Sequence, residues 1–399
     1  MEPWPPDVRQ FVQDAQEKAY RRLAVALGVG SDPAQAFARF NPGLPPFDLI
    51  APKRSEAAMQ MISAEKDQEH FNNSAAAFYE RYAAVRPPTA YEPASSYAIL
   101  LMTYDALQGL WETPEIRKPC LASIASGDLN ACITIEASTQ TPIIFFEQGL
   151  MRFLRDFALL IAWATPPLAP EDMTDARLAR MPQKYQMPFV ASGSFVGSIS
   201  AYVLDGTPIS NPTPIPSPEH NLFVASMMTT FMERFVMAHE LAHLALGHLH
   251  RDPTMEQEFE ADARALVTLS ALSRASGLSW GMSMWACDLA LSCLHILDHA
   301  ISVVVFGGNK PGWKSPTHPD FYSRRLRLRN SLGTLVPDAP AEGLRTLRTL
   351  IAMSDATLQR LWEFCLAPLL MAYQAGKRPS PLWNDRIREC FRAPEGSIR

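Results

Sequence analysis

Two histidines in the middle of the chain are spaced to bind one metal ion. His239 and His243 lie in the stretch FVMAHELAHLALGHLH, and Glu240 directly follows the first of them. On a helix, positions i and i+4 share a face, so both imidazoles can reach one ion at about 2 Å from each nitrogen. A glutamate beside the ion can take a proton from water that the metal activates. The pattern therefore predicts two metal ligands and a general base.

The alternative interpretation is a helix that carries solvent-facing polar residues and no metal. The residues around the motif are mainly alanine and leucine, so much of this helix is apolar. Burying two histidines and a carboxylate costs several kcal/mol unless the groups are paired or bind a metal. The composition of the segment therefore favours a metal site.

The next segment, EQEFEADARAL, offers a third ligand. Glu258 and Asp262 are four residues apart and share a helical face, whereas Glu260 points about 200° away from Glu258. We expect Glu258 to bind the metal and Asp262 to accept a hydrogen bond from a ligand histidine. An acidic solvent-facing surface is the alternative. Two imidazoles, one carboxylate and an open position suit one zinc ion per chain.

Four sequence pieces together resemble a known family. H-E-L-A-H followed by E-F-E-A-D is similar to the HExxH…ExxAD pattern of the gluzincin metallopeptidases, above all the M48 family of HtpX-like peptidases. SPTHPDFYSRRLRL resembles that family's S/T-H-P-x-x-x-x-R segment, and DLNACITIEASTQTPIIFFEQGL resembles its edge strand and the start of the next helix. The pieces occur in the family's order over residues 100–330.

The resemblance implies a zinc endopeptidase that uses the ligands and the base described above. It further implies that His318 hydrogen-bonds the tetrahedral oxyanion and that Arg324 has a structural or orienting role. Asn130 would help to hold the backbone of a protein or peptide substrate against an edge strand.

The membrane members of that family have spanning helices, and the sequence predicts none here. The two most apolar stretches, TPIIFFEQGLMRFLRDFALLIAWA and WGMSMWACDLALSCLHILDHAISVVVF, are interrupted by charged residues and histidines. Neither has the roughly 18 uninterrupted apolar residues that a span needs, so we expect core elements without a membrane span. A soluble relative is therefore expected, and ImmA-like or phage-exclusion peptidases are also similar.

Composition indicates a globular protein of the cytoplasm. Of the 399 residues, 47% are hydrophobic, 19% are charged, and the formal net charge is −5. The six cysteines lie far apart, as expected for free thiols in a reducing compartment, and no signal peptide is visible. The absence of a long basic run argues against nucleic acid as a partner.

The predicted fold is α+β and predominantly helical, with a small sheet in a zincin-like core. We expect a helical region at 1–95, a metallopeptidase domain at 96–330 with a proline-rich insertion at about 165–220, and a helical region at 331–399. NACITIEA and TPIIFFE predict a β-hairpin, and SFVGSISAYVL predicts a strand. Asp252 is the expected N-cap of the helix that follows the histidine motif.

Two further histidine-containing features have simpler interpretations. His248 and His250 are expected to interact favourably with the dipole at the end of the motif helix, in preference to forming a second metal site. The segment HILDH, with His295 and His299 four residues apart, predicts a polar core network that contacts the zinc site, in preference to a second zinc.

Two other functions remain possible from the sequence. A non-enzymatic, zincin-like binding or sensor module with structural zinc would have no need of a base, so the presence of Glu240 favours the enzyme. A latent enzyme, held inactive by the proline-rich segment until a stress or phage-defence trigger, is a variant of the first hypothesis.

Overall fold

The structure is a computed structural model whose described part is predominantly helical with one small sheet, so the predicted fold class is confirmed. Residues 42–85 of the helical region expected at 1–95, and much of the proline-rich insertion, lie outside the described residues. The described residues are 4–26, 28–41, 86–111, 118–127, 129–164, 189–206, 219–275, 280–308, 315 and 317–390.

The chain divides into two compact units. The first comprises residues 1–151 and 218–224, and the second comprises residues 152–217 and 225–399. The first unit contains the sheet and the helices α1 (Pro6–Ala26), α2 (Pro33–Phe40) and α3 (Ala94–Trp111). The three-part division at residues 95 and 330 stays a prediction.

The sheet has three strands in the order β1-β3-β2, and their bounds are Cys120–Ile124 for β1, Ala131–Glu136 for β2 and Thr141–Glu147 for β3. β2 and β3 form the predicted antiparallel hairpin, in which Ala131 lies opposite Phe146. β1 pairs with β3 in parallel. The central strand is buried along its whole length, whereas β2 lies at an edge of this described sheet.

An apolar contact and a buried polar network join α1 to the sheet. Val8 and Val12 pack with Ile143 and Phe145, which explains the helical spacing of these apolar residues. One turn of the helix further on, the side chain of Gln16 reaches the polar network that surrounds Glu92.

Glu92 is a buried carboxyl group between α1 and β1. The Nε2 of Gln16 donates to its Oε2 at 2.8 Å, and the backbone N–H of Ser123 donates to the same oxygen at 2.7 Å. Burial raises the pKa of Glu92 to about 8, although both hydrogen bonds act in the opposite direction. Glu92 therefore favours its neutral form in the folded protein.

The second unit is built from helices around one apolar central helix. The bounds of the remaining helices are α4 Gln148–Ala164, α5 Phe189–Asp205, α6 Glu219–Ala245, α7 Met255–Ala275, α8 Trp280–Phe306, α9 Phe321–Leu335, α10 Ala341–Gln374 and α11 Asn384–Cys390. The central helix is α8, which packs against α5, α7, α9 and α10. Two helices, α4 and α6, begin in the first unit and continue in the second.

The apolar helix α8 is an interior element of the second unit. Among the described helices it is the one long and apolar enough to cross a membrane, but 78% of its most apolar 18-residue window is buried inside the protein. A core helix of this kind satisfies the same length and composition criteria as a span.

The strand predicted for SFVGSISAYVL is wrong, because this segment lies in helix α5. Phe195, Ile199 and Tyr202 follow helical spacing and are all buried. Phe195 packs against Phe157, and Tyr202 packs edge-on against Phe153 with ring centroids 4.7 Å apart. Tertiary burial of this aromatic face outweighs the local strand preference of its β-branched and aromatic residues.

Candidate metal centre

The predicted histidine motif lies in the last two turns of α6. This part of the helix is buried on nearly every side, which explains its run of alanine, leucine and methionine. His239 and Glu240 are buried, at 7% and 6% exposure. The helix ends at Ala245, and Gly247 follows with a φ of 66°, a left-handed conformation that glycine adopts without strain.

A reciprocal pair of hydrogen bonds defines the start of α7. The N–H of Gln257 donates to the Oγ1 of Thr254 at 3.3 Å, and the N–H of Thr254 donates to the Oε1 of Gln257 at 3.0 Å. This is a capping box, so the prediction of Asp252 as the N-cap is wrong by two residues. The cap places Glu258 in the first turn of α7.

The three predicted ligands converge at one point between α6 and α7. The Nε2 atoms of His239 and His243 are 3.1 Å apart, and they lie 3.4 and 3.5 Å from the Oε2 and Oε1 of Glu258, respectively. Around a tetrahedral zinc with bonds of about 2.0–2.1 Å, neighbouring ligand atoms lie about 3.3 Å apart. The donor set and its spacing therefore fit a metal ion, and these three residues could hold one.

Asp262 and Arg324 surround the first histidine. The Nδ1 of His239 lies 3.0 Å from Asp262, an arrangement that directs its Nε2 towards the other two ligand atoms. Arg324, from the first turn of α9, donates to Asp262 at 2.6 and 2.8 Å and lies 3.2 Å from Glu258. Asp320 caps the same helix by accepting from the N–H of Ser323 at 3.0 Å, which fixes the first turn.

His318 lies at the edge of the ligand cluster with a side chain that is 57% exposed. Its Nε2 lies 3.8 Å from the Oε1 of Glu258, and its Nδ1 lies 2.8 Å from the Oγ1 of Thr317. The backbone N–H of His318 also donates to Ser315 at 3.0 Å. These contacts orient the ring so that Nε2 faces the cluster.

The two ligand histidines have opposite pKa shifts. Burial and the charge of Arg324 lower the pKa of His239, but hydrogen bonds to Asp262 and Glu258 outweigh both, and the pKa rises to about 9. Burial and the charge of His239 lower the pKa of His243 to about 3. Burial raises the pKa of Glu258, but the hydrogen bond to His239 and the charge of Arg324 lower it by more. The pKa therefore lies below its usual range, and the carboxylate is ionised. Glu258 thus offers a negatively charged oxygen to a cation.

Sequence reasoning missed the contacts of His248 and Glu260. His248 is not part of the motif helix but lies in a short 3₁₀ turn (His248–His250) after it, and its side chain is buried. Its Nδ1 is 2.9 Å from the Nδ1 of His243, and its Nε2 is 3.1 Å from the Oε2 of Glu260. The signal available in the sequence was Gly247, because a glycine just after a helix commonly takes the left-handed conformation that reverses the chain.

The remaining candidates lie elsewhere. Asn130 is exposed and directly precedes the edge strand β2 in the first unit, where its carbonyl accepts from the N–H of Glu147 at 3.0 Å. In the HILDH segment, Asp298 accepts from Arg386 at 2.9 Å and His299 stacks on Trp362. The predicted contact between this segment and the metal centre stays a prediction.

Comparison with known proteins supports a peptidase. A family model described as peptidase U49 matches residues 206–341, about a third of the chain, and this range contains all the residues of the ligand cluster. The comparison with curated proteins found no match, and neither did the comparison with solved structures. The matched family indicates a peptidase, whereas the more detailed M48-like features remain predictions.

Proposed function

We propose that this chain is a zinc-dependent endopeptidase with one zinc ion per chain. The observation that carries the proposal is the convergence of His239, His243 and Glu258: the two Nε2 atoms lie 3.1 Å apart, and each lies 3.4 or 3.5 Å from one carboxylate oxygen of Glu258, distances that suit ligands of one zinc ion. This donor set lies within the range that matches a peptidase family. A structural site would fill the fourth position with protein, whereas a catalytic site keeps it open.

Glu240 is the proposed general base. When bound, zinc supplies Lewis-acid chemistry, since it lowers the pKa of water and polarises the scissile carbonyl. Glu240 is buried and directly follows the first ligand on α6, so it cannot share the helical face of both histidines. It would accept a proton from the attacking water and transfer it to the leaving amine.

Asp262 and Arg324 would hold the ligands in place. The Nδ1 of His239 lies 3.0 Å from Asp262, so a neutral His239 would donate from Nδ1 and keep Nε2 unprotonated for the metal. Arg324 keeps Asp262 ionised and also contacts Glu258. The ligands His239 and Glu258 thus each have a charged neighbour that restricts the orientation of the side chain.

His318 and Asn130 would act on the substrate. The Nε2 of His318 faces the cluster from a largely exposed side chain, so it is accessible to the oxyanion that forms during peptide hydrolysis.

The role of Asn130 depends on the family resemblance and on its position beside an edge strand, where an extended peptide can add as a further strand. We expect Asn130→Ala to raise KM more than it lowers kcat.

The first experiment measures metal content and peptidase activity together. Elemental mass spectrometry on the purified full chain should find about one zinc per chain, as expected for a site of this type. The zinc should be lost in His239→Ala and Glu258→Ala and retained in Glu240→Gln. His250→Ala is the matched control, since His250 is exposed in the turn after α6.

Activity on a fluorescently labelled, unfolded protein distinguishes the endopeptidase hypothesis from the hypothesis of a non-enzymatic binding module. Glu240→Gln should retain zinc but lose at least roughly a hundredfold in kcat, because the base is missing. Full zinc occupancy with activity unchanged in Glu240→Gln would contradict the proposed role of Glu240. Absence of zinc from wild type, or zinc that survives both ligand substitutions, would refute the metallopeptidase.

Latency is a separate part of the proposal. Most of the segment expected to cover the cleft, residues 166–220, lies outside the described residues, apart from α5. Substituting the stretches 166–188 and 207–217 with a flexible linker while retaining α5 should raise turnover of an unfolded protein. Unchanged turnover would remove the lid hypothesis and leave the metal centre untouched.

A further inference from the structure

His248 lies against the metal-ligand cluster without belonging to it. The chain leaves α6 at Ala245 and reverses at Gly247, which brings the ring of His248 back towards His243. The two rings meet edge to face with centroids 5.0 Å apart. His248 is 5% exposed, and both of its ring nitrogens have a partner.

The positions of the protons in this contact follow from the geometry. Two ring nitrogens that face each other at 2.9 Å form a hydrogen bond only if one of them carries the proton. A neutral His243 that binds a metal through Nε2 must carry its proton on Nδ1. His243 is then the donor and the Nδ1 of His248 is the acceptor. The proton of a neutral His248 must therefore be on Nε2, where Glu260 accepts it at 3.1 Å.

We propose that His248 and Glu260 are positioning residues that hold His243 in the tautomer and orientation required for metal binding. The proposal rests on the metal centre of the proposed function and extends it. His239 is oriented directly by a carboxylate, Asp262, whereas His243 is oriented by a carboxylate through a second imidazole. Hydrogen-bond partners of this kind fix the tautomer of a ligand histidine and raise its basicity.

Glu260 is the last member of a hydrogen-bond relay that runs from His243 through His248, and it lies on the solvent-facing side of α7. Its side chain is half exposed, whereas that of Glu258, two residues earlier, is turned into the cluster. Glu258 thus lies beside the Nε2 of His243, whereas Glu260 contacts His248, and the two glutamates project from different faces of α7. The spacing that excludes Glu260 as a ligand is the same spacing that allows it to bind His248.

The test compares zinc affinities of two nearly isosteric variants of the full chain. His248→Asn retains an oxygen acceptor near the position of Nδ1 for the Nδ1–H of His243, whereas His248→Leu has no acceptor. Zinc dissociation constants are measured at one pH by competition with a chromophoric chelator. We expect His248→Leu to weaken binding by about 10- to 100-fold and His248→Asn to recover most of that loss.

A purely packing role of His248 gives a different result. It predicts similar zinc affinities for the asparagine and leucine variants, and that outcome would overturn the proposal. Urea unfolding of the metal-free proteins shows whether a variant binds zinc more weakly only because its fold is less stable. If wild type binds zinc and His248→Leu binds it equally well, the relay fails while the proposed metal centre stands. If wild type binds no zinc, both fail.

Substitution of Glu260 provides an independent test at a half-exposed position that the fold tolerates more easily. Glu260→Ala should weaken zinc binding, whereas Glu260→Gln should weaken it less because its amide oxygen still accepts from His248. Glu256→Ala is the matched control, since Glu256 is an exposed carboxylate one turn earlier on α7 and pairs with Arg327. Equal affinities of the Glu256→Ala and Glu260→Ala variants would exclude Glu260 from the relay.

Discussion

At the scale of single residues, Arg324 pairs with two carboxylates of the ligand cluster. Its guanidinium donates to Asp262 and lies 3.2 Å from Glu258, and all three side chains are almost completely buried. Burial lowers the pKa of Arg324, but the charges of Asp262, Glu258 and Glu240 raise it above its usual range. The guanidinium therefore stays positively charged beside the buried carboxylates at every accessible pH.

Arg324→Leu should lower the free energy of unfolding of the metal-free protein by about 3–5 kcal/mol, because it leaves buried carboxylates without their cation. Urea denaturation measures this loss. The control is Arg327→Leu on the same helix, since Arg327 pairs with Glu256 at the surface and should contribute less than about 1 kcal/mol. Equal losses in the two variants would contradict the argument.

At the scale of secondary-structure elements, helix ends determine where the ligands lie. The left-handed glycine after α6 and the capping box before α7 are separated by only a short connection. The first fixes the position of His248, and the second fixes the first turn of α7, which carries Glu258. The geometry of the site therefore depends on two local turns that bind no metal themselves.

Thr254→Ala should lower the free energy of unfolding by about 1 kcal/mol, because the N–H of Gln257 loses its side-chain acceptor. The same variant should bind zinc more weakly, since the first turn of α7 frays. Thr349→Ala, within α10, is the control and should be neutral or slightly stabilising, because alanine is the better helix former. An unchanged urea midpoint for Thr254→Ala would count against the capping box.

Glu92 gives the contact between α1 and β1 a dependence on pH. Its pKa is raised from 4.5 to about 8 in the folded protein, so the unfolded chain releases the proton first as pH rises. The stability that this group contributes is complete below pH 4.5 and is lost progressively up to about pH 8, by roughly 1 kcal/mol per pH unit.

Glu92→Gln should remove this part of the pH dependence, because glutamine can accept from Gln16 and from the N–H of Ser123 without ionising. Unfolding free energies measured from pH 5 to pH 8 should fall more steeply for wild type than for the variant. Parallel curves for the two proteins would show that Glu92 ionises normally in the fold.

At the scale of the whole molecule, the proposed zinc links α6 to α7 within the second unit. A ligand that binds only the folded state stabilises it by about 2.7 kcal/mol at a hundredfold excess over Kd. We therefore expect zinc to raise the thermal unfolding midpoint of the wild type, chelation to reverse the effect, and His239→Ala to show no response. A zinc response that survives in His239→Ala would point to binding elsewhere.

Much of the fold followed from local sequence patterns. The β2–β3 hairpin, α1 and the apolar helix α8 each have a pattern of their own, and the structure contains all three. The strand β1 was missed, because it pairs in parallel with a strand about 20 residues further on and its five residues show no period. The sequence of α5 predicts a strand, because aromatic and β-branched residues favour strands, but tertiary packing buries one face of this segment as a helix.

By itself the sequence determined the residue types at the candidate centre. The spacing of His239 and His243 follows from the helical period, and Glu258 was selected by helical position after a predicted helix start. The same helical spacing predicts Asp262 as a support of a ligand histidine, and the family resemblance implies an orienting role for Arg324. Only the tertiary structure placed His248 and Glu260 against His243, because that contact depends on a chain reversal and on the packing of two helices, which local periodicity does not record.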